Sequence, residues 1–227
     1  MLAPLLRYLE SLAADGSLPP RRRVSDAFPD VTVTNQHGEP RRFRRDFVDT
    51  AGALIVNTMY TTCRGSCPGT SSTIATLRRA LSPDFGKRLT FLSITLEPQV
   101  DTPQVLRSYA KAYGAARPDP GLSDWQFLTM PPADLLSLRR SLGFFELDPS
   151  RDRDVTQHAA LLLVGNIATD RWCKAPSTLR TPVLLDTIRR VAGFTFEQRY
   201  GLPRDSPAAA RRGSTTTIDR LGHLEQD

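Results

Sequence analysis

The sequence predicts an α/β domain, and three observations carry that prediction. Apolar-rich runs at Ala53-Leu54-Ile55-Val56 and Leu89–Leu96 read as buried strands. Stretches after them place apolar residues at helical spacing behind a threonine or proline start. The two kinds alternate, which is the pattern of parallel βαβ units.

Taken in chain order, residues 1–27 form an extension that ends in the linker-like Pro19-Pro20-Arg21-Arg22-Arg23. Phe28 to Phe47 then holds Val31-Thr32-Val33-Thr34 followed by Asn35-Gln36-His37-Gly38, a strand and turn signature that predicts an opening hairpin. His37 is expected to be a solvated turn residue. The first parallel strand is Ala53–Asn57. A helix over Thr70–Leu81, begun by Pro68, buries Ile74, Leu77 and Leu81, and Leu89–Leu96 follows as the second strand. Thr102-Pro103 opens a further helix through Val105, Leu106, Tyr109 and Tyr113 to Gly114. Trp125–Thr129 reads as a strand, Pro132–Leu142 as a helix and Phe144–Leu147 as a short strand. His158–Val164, a turn at Gly165–Asp170 and Arg171–Lys174 make a closing hairpin before a last helix over Pro182–Val191. This order is that of a thioredoxin-like fold with an N-terminal β-hairpin extension and an inserted strand/helix region. The domain is expected over residues 28–193, with 194–227 a mobile tail.

Composition excludes several classes. With 40% hydrophobic and 24% charged residues the 227-residue chain is neither disordered throughout nor fibrous. No apolar run approaches the roughly 18 residues of a spanning helix, and residues 1–27 lack a signal-peptide pattern. The net charge of +6 is spread along the chain apart from Arg41, Arg42, Arg44 and Arg45, so no concentrated face for nucleic acid is expected. That arginine cluster reads as a solvated hairpin face. The chain's three cysteines, Cys63, Cys67 and Cys173, exclude a disulfide scaffold.

Chemistry concentrates at Asn57–Thr70, between the first parallel strand and its helix, where open α/β sheets bind ligands. A helix start there favours thiolate over thiol at Cys63 and Cys67. Their three intervening residues leave more room than the two usual in thioredoxin-like oxidoreductases. A turn through Gly65 brings the sulfurs together outside the helix, to close a disulfide or to pinch a metal ion. His158, at the start of its strand, can approach this loop. Two thiolates and one imidazole suit Cu(I) and can also hold Cu(II), whereas structural zinc normally takes four protein ligands. Cys173 at a hairpin edge reads as a bystander. Asp101, ahead of Thr102-Pro103, is expected to help start a helix. A peroxidase is disfavoured, because the residues that accompany an attacking cysteine in peroxiredoxins are missing before Cys63.

Three stretches together carry a family resemblance. Tyr60-Thr-Thr-Cys63-Arg-Gly-Ser-Cys67-Pro68, then Ile94-Thr-Leu-Glu97-Pro98-Gln-Val-Asp101-Thr102-Pro103, then Asp154-Val-Thr-Gln-His158 before an apolar strand, resemble the Sco/SenC family over roughly residues 28–193. The resemblance implies a thioredoxin-fold copper protein that helps assemble the CuA centre of cytochrome c oxidase, with Cys63, Cys67 and His158 as copper ligands. It implies as partner the copper-bearing oxidase subunit or another copper carrier, and a periplasmic or membrane-associated location facing the periplasm. Membrane association would come through an anchor not seen in this sequence. Glu97 stands where the family often has aspartate, and Gln157-His158 where it often has Asp-His. Two functions follow: a copper chaperone without turnover of its own, or a thiol–disulfide oxidoreductase in which Cys63 and Cys67 cycle and no metal is transferred.

Overall fold

The computed structural model describes residues 22–202. Its strands are β1 (Thr32–Asn35), β2 (Pro40–Arg42), β3 (Ala53–Met59), β4 (Leu89–Thr95), β5 (Asp124–Thr129), β6 (Leu161–Asn166) and β7 (Arg171–Pro176). They form one sheet in the order β2-β1-β5-β4-β3-β6-β7. β3, β4 and β5 are parallel, while β1–β2 and β6–β7 flank them as antiparallel hairpins. The helices are α1 (Ser66–Phe85), α2 (Pro103–Ala112), α3 (Pro132–Ser141), α4 (Pro149–Arg153), α5 (Thr181–Ala192) and α6 (Phe196–Tyr200). This is the expected thioredoxin-like α/β architecture with its amino-terminal hairpin.

Every residue of β3 and β4 is buried, as a strand covered on both faces requires. The strand period of two divides them between two cores. Ala53, Ile55, Met59, Leu89 and Phe91 face one side, where Ile74, Leu77 and Leu81 of α1, Leu106 of α2 and Leu184 and Ile188 of α5 cover them. Leu54, Val56, Leu92 and Ile94 face the other, against Phe28, Phe43, Phe47 and Leu135 and Leu138 of α3. Replacing one of these fully enclosed rings or leucines by alanine costs about 2–5 kcal/mol. Gly165 has a packing reason of its own: a Cβ there would lie 2.0 Å from the Trp172 ring on β7.

The structure differs from the sequence reading in several places. α1 starts at Ser66, so Cys67 sits inside the helix rather than in the loop before it. Phe144–Leu147 is no strand, for Gly143 takes a φ of 71° and the segment has no sheet partner. Pro149–Arg153 forms a short helix, α4, that the sequence reading does not predict. His158 lies outside β6, at the end of a 3-10 turn over Val155–Gln157. Gly165 is a strand residue, and the hairpin turns later, with Asp170 at φ 50°. The two ends of the domain are more ordered than expected. Val24–Ala27 forms a 3-10 turn whose Val24 N–H donates to Asp170 Oδ2 at 2.7 Å. Residues 194–200 hold α6, where the buried Gln198 donates to Asp84 O at 2.7 Å. The rest of the expected tail, 203–227, and of the extension, 1–21, lie outside the described residues.

Arg41, Arg42 and Arg44 pair with Glu39, Asp30 and Asp26 at 2.7, 3.0 and 3.2 Å. The arginine cluster is thus a hairpin face balanced by its own neighbours.

Candidate metal centre

β3 delivers the chain to the site. Its ladder with β4 continues one residue further, as Leu96 N–H donates to Met59 O at 2.8 Å, and the chain then turns back so that Cys63 N–H meets Tyr60 O at 3.3 Å. Gly65 stands at the N-cap of α1, and Pro68 falls in the first turn, where a missing N–H leaves no helical bond unmade. Cys63 is half-buried and Cys67 buried, and both are free thiols.

The loop is held from across the sheet by a carboxylate whose role the sequence reading missed. Asp101 is fully buried and accepts from Thr61 N–H at 3.1 Å and from the hydroxyls of Thr61 and Thr95. It does not start α2; the Thr102 hydroxyl does, accepting from Val105 N–H. Glu97 joins in, its Oε2 accepting from the Thr62 hydroxyl at 2.6 Å. Both carboxylates therefore brace the cysteine loop. The signal was present as acidic residues after a buried strand, but their partners lie 35 to 40 residues away.

His158 arrives on a different support. Asp148 caps α4 by accepting from Ser150 N–H at 2.7 Å, and Asp154 caps the next turn by accepting from Thr156 N–H at 2.9 Å. Asp152 pairs with Arg139 of α3 at 2.7 Å and accepts from Glu146 N–H at 2.9 Å. His158 Nδ1 lies 2.6 Å from Val155 O. A carbonyl can only accept, so Nδ1 carries the proton and the Nε2 lone pair is left free. Nε2 points to Cys67 Sγ at 3.7 Å. The backbone carbonyl thus does the orienting that Gln157 in place of aspartate leaves open. The Tyr60 ring stands edge-on to the imidazole, with centroids 5.6 Å apart. Behind the histidine lies a cavity of about 40 Å³ lined by Thr58, Phe144, Arg139 and Asp152 among others.

The two thiols are unequal. Burial pushes the Cys67 thiol up to about 12, helped by its hydrogen bond with Cys63. At Cys63 burial also acts upward, but hydrogen bonds from the Cys67 thiol, the Cys67 and Gly65 N–H groups and the Tyr60 hydroxyl outweigh it, so its pKa falls below the ordinary value. Tyr60 is pushed up to about 12, first by burial and then by Cys63.

The structure therefore brings Cys67 and His158 together with Cys63 on the adjoining turn. Among the described residues no three His, Cys, Asp or Glu side chains are already gathered around one point that a metal could occupy. Two donors on one ion, each at about 2.0–2.3 Å, lie at most about 4.3 Å apart, so the Cys67–His158 separation fits a shared ion. Cys173 is far from this point. It pairs with Val164 in a row of the sheet that also contains Ile55, four residues before Met59, and burial pushes its thiol up.

The family model described as SCO1/SenC matches residues 21–123, the stretch that contains both cysteines, Glu97 and Asp101. That stretch is similar to the SCO1/SenC family. Among solved structures, a SCO1/SenC family lipoprotein from Bacillus anthracis str. Ames shares 19% identity, covering 73% of this chain and 94% of its own, with a TM-score of 0.56. Bradyrhizobium japonicum ScoI with copper bound shares 21%, covering 70% and 95%, at a TM-score of 0.53. BsSco, a member of the Sco family of cytochrome c oxidase assembly proteins with a disulfide switch, shares 15%, covering 79% and 98%, at a TM-score of 0.57. At these identities the likeness is one of fold. No match was found among curated proteins. His158 lies outside the matched stretch, so its place beside Cys67 is a finding of the structure.

Proposed function

We propose that this protein binds one copper ion through Cys63, Cys67 and His158 and passes it on, as a copper chaperone in the assembly of cytochrome c oxidase. The observation that carries this reading is the 3.7 Å approach of His158 Nε2, lone pair outward, to Cys67 Sγ beside a second thiol. Two sulfurs and one imidazole are soft and borderline donors, matched to Cu(I), and three ligands leave the opening that ligand exchange with an acceptor needs. Closure of Cys63 toward the ion completes the set. Copper-bound ScoI and the assembly role named for BsSco support the metal and the client. The client is the copper-bearing oxidase subunit or another copper carrier. A periplasmic location accords with the lipoprotein relative. Among the described residues no helix is long and apolar enough to cross a membrane.

The test is an anaerobic titration of the reduced protein with Cu(I) against a competing chelator. One equivalent should bind tightly, binding should vanish in Cys63→Ala/Cys67→Ala, and His158→Ala should weaken it about 10- to 100-fold. Retained affinity in both variants would sink the proposal.

A second reading draws on the unequal thiols. With Cys63 depressed and Cys67 raised, Cys63 thiolate attacks a client disulfide, and Cys67 then resolves the mixed disulfide. The client gains two electrons, and a Cys63–Cys67 disulfide is left, a form that cannot hold Cu(I). This reading is preferred if the reduced protein exchanges with a model disulfide and fails to compete for copper.

A further inference from the structure

The end of the domain opposite the thiols carries a second feature that copper binding does not use. β3 runs from Ala53 to the cysteine loop, so Ala53 marks that far end. Ala53 pairs with Leu89 and Asn166, and Asn166 pairs with Arg171. Lys87 and Arg88 directly precede β4. The Arg88 guanidinium lies 4.3 Å from the centroid of the Phe194 ring. Arg171 Nη2 and Arg199 Nε both donate to the Gly193 carbonyl, at 2.9 and 3.2 Å. Lys87 Nζ donates to the carbonyls of Asp119 and Leu122, which brings the loop holding Arg117 to the same end. The chain also enters here, as Arg23 donates to Ile167 O and Val24 to Asp170.

Among the described residues Lys87, Arg88, Arg117, Arg171 and Arg199 make no ion pair. The neighbouring acids are largely engaged. Asp84 pairs with Arg189, Asp170 accepts from Val24, Ser25 and Trp172, Asp119 accepts from Gly121 N–H, and Asp124 accepts from Gln126. Two guanidiniums meeting at one carbonyl repel each other, and burial together with Arg199 lowers the pKa of Arg171. Beside these cations stand exposed apolar side chains: Tyr200 at 50%, Val24 at 48%, Leu202 at 38% and Phe196 at 37%. The rings of Phe196 and Tyr200 pack at 4.4 Å, with the Arg190 guanidinium 5.2 Å from Tyr200.

Unpaired cations alone fit any polyanion. Cations interleaved with exposed aromatic and aliphatic side chains fit a surface that is negative at its face and apolar beneath, which is a bilayer of anionic phospholipid. We propose that this end of the domain, formed by Lys87, Arg88, Arg117, Arg171, Arg199 and the α6 aromatics, docks on an anionic membrane surface. Docked so, the thiol loop stands a full β3 length away, about 20 Å, and faces a partner across open solvent. The inference is independent of copper binding.

The test is co-flotation of the full chain with vesicles of phosphatidylcholine alone or with 30 mol% phosphatidylglycerol, about one lipid in three. The chain should float with the anionic vesicles only, and rising salt should release it. Lys87→Glu/Arg88→Glu/Arg117→Glu should lose about 100-fold in affinity, whereas Arg140→Glu/Arg151→Glu/Arg153→Glu, of equal net charge, should not. Phe196→Ser/Tyr200→Ser should weaken binding several-fold on the same vesicles. Circular dichroism melting and the copper titre check that each variant is folded; Arg117→Glu alone, with a loss of about 5-fold, stands in if the triple variant is not. Absence of flotation, equal flotation with neutral vesicles, or equal losses in the two triple variants would overturn the proposal. So would capture of polyglutamate without capture of vesicles, which would mark the face as one for an acidic protein.

Discussion

The cysteine loop and the histidine arm meet at one point but are held in different ways. Thr61 is tied to the buried Asp101 beneath it, and Cys67 is locked in the first turn of α1, whose inner face is packed on the sheet. The arm that carries His158 is a chain of short capped turns, joined to the body by the Arg139–Asp152 pair and bearing Phe145 and Leu147 at 46% and 91% exposure. A buried anchor and a helix give precision, while capped turns on the surface open at low free energy. Under the proposed copper role the cysteine loop is the platform, with Cys67 fixed and Cys63 closing on the ion, and the imidazole is the ligand that yields first.

The contrast can be broken from either side. The largest effect is expected for Asp101→Ala, which leaves the Thr61 N–H and two hydroxyls without their acceptor. Urea unfolding should show a loss of about 2–3 kcal/mol, and Cu(I) affinity should fall with it because both thiols lose their footing. An unchanged midpoint would mean that the loop is held by α1 alone. Asp152→Ala acts on the arm only. Here Cu(I) affinity should fall about 10-fold while the alkylation rates of Cys63 and Cys67 stay as in the parent; altered thiol rates would show the two regions to be one unit.

A smaller, pH-driven effect sharpens the difference further. Asp148 and Asp154 are held below the ordinary carboxylate range by the bonds they accept, first from the hydroxyls of Ser150 and Thr156 and then from backbone N–H groups. A depressed carboxylate contributes fully above its unfolded value, near 3.8, and loses that contribution as pH falls through the lower folded value. Hydrogen exchange should therefore show amides 150–157 losing protection in acid while those of α1 keep it. Simultaneous loss in both would remove the distinction.

How much of this was legible in the sequence follows the same division. β3 and β4 announced themselves as apolar runs, and the cysteine spacing marked the platform. Pro68 was read as the start of α1, but proline is tolerated anywhere in a first turn, so the helix took in Cys67 as well. The arm was misread because Phe144–Leu147 is apolar enough for a strand and His158 runs on toward a real one, β6. Gly143 and the cap at Asp148 broke the first into turns, and the cap at Asp154 held His158 in a turn short of the second. Asp101 looked like a helix starter because its neighbour Thr102 does that work. Its bond to Thr61 spans 40 residues, and no local pattern encodes such a contact. The boundaries shifted for a similar reason, since Gln198 and Asp170 tie the chain ends to partners distant in sequence.

The claim that joins these parts is that Cys63, Cys67 and His158 share one ion. Copper-edge X-ray absorption of the Cu(I)-loaded protein tests it most directly. Two sulfur scatterers and one imidazole nitrogen are expected, with only the nitrogen lost in His158→Ala. A site of sulfur alone in the parent protein, or a spectrum that His158→Ala leaves unchanged, would contradict it.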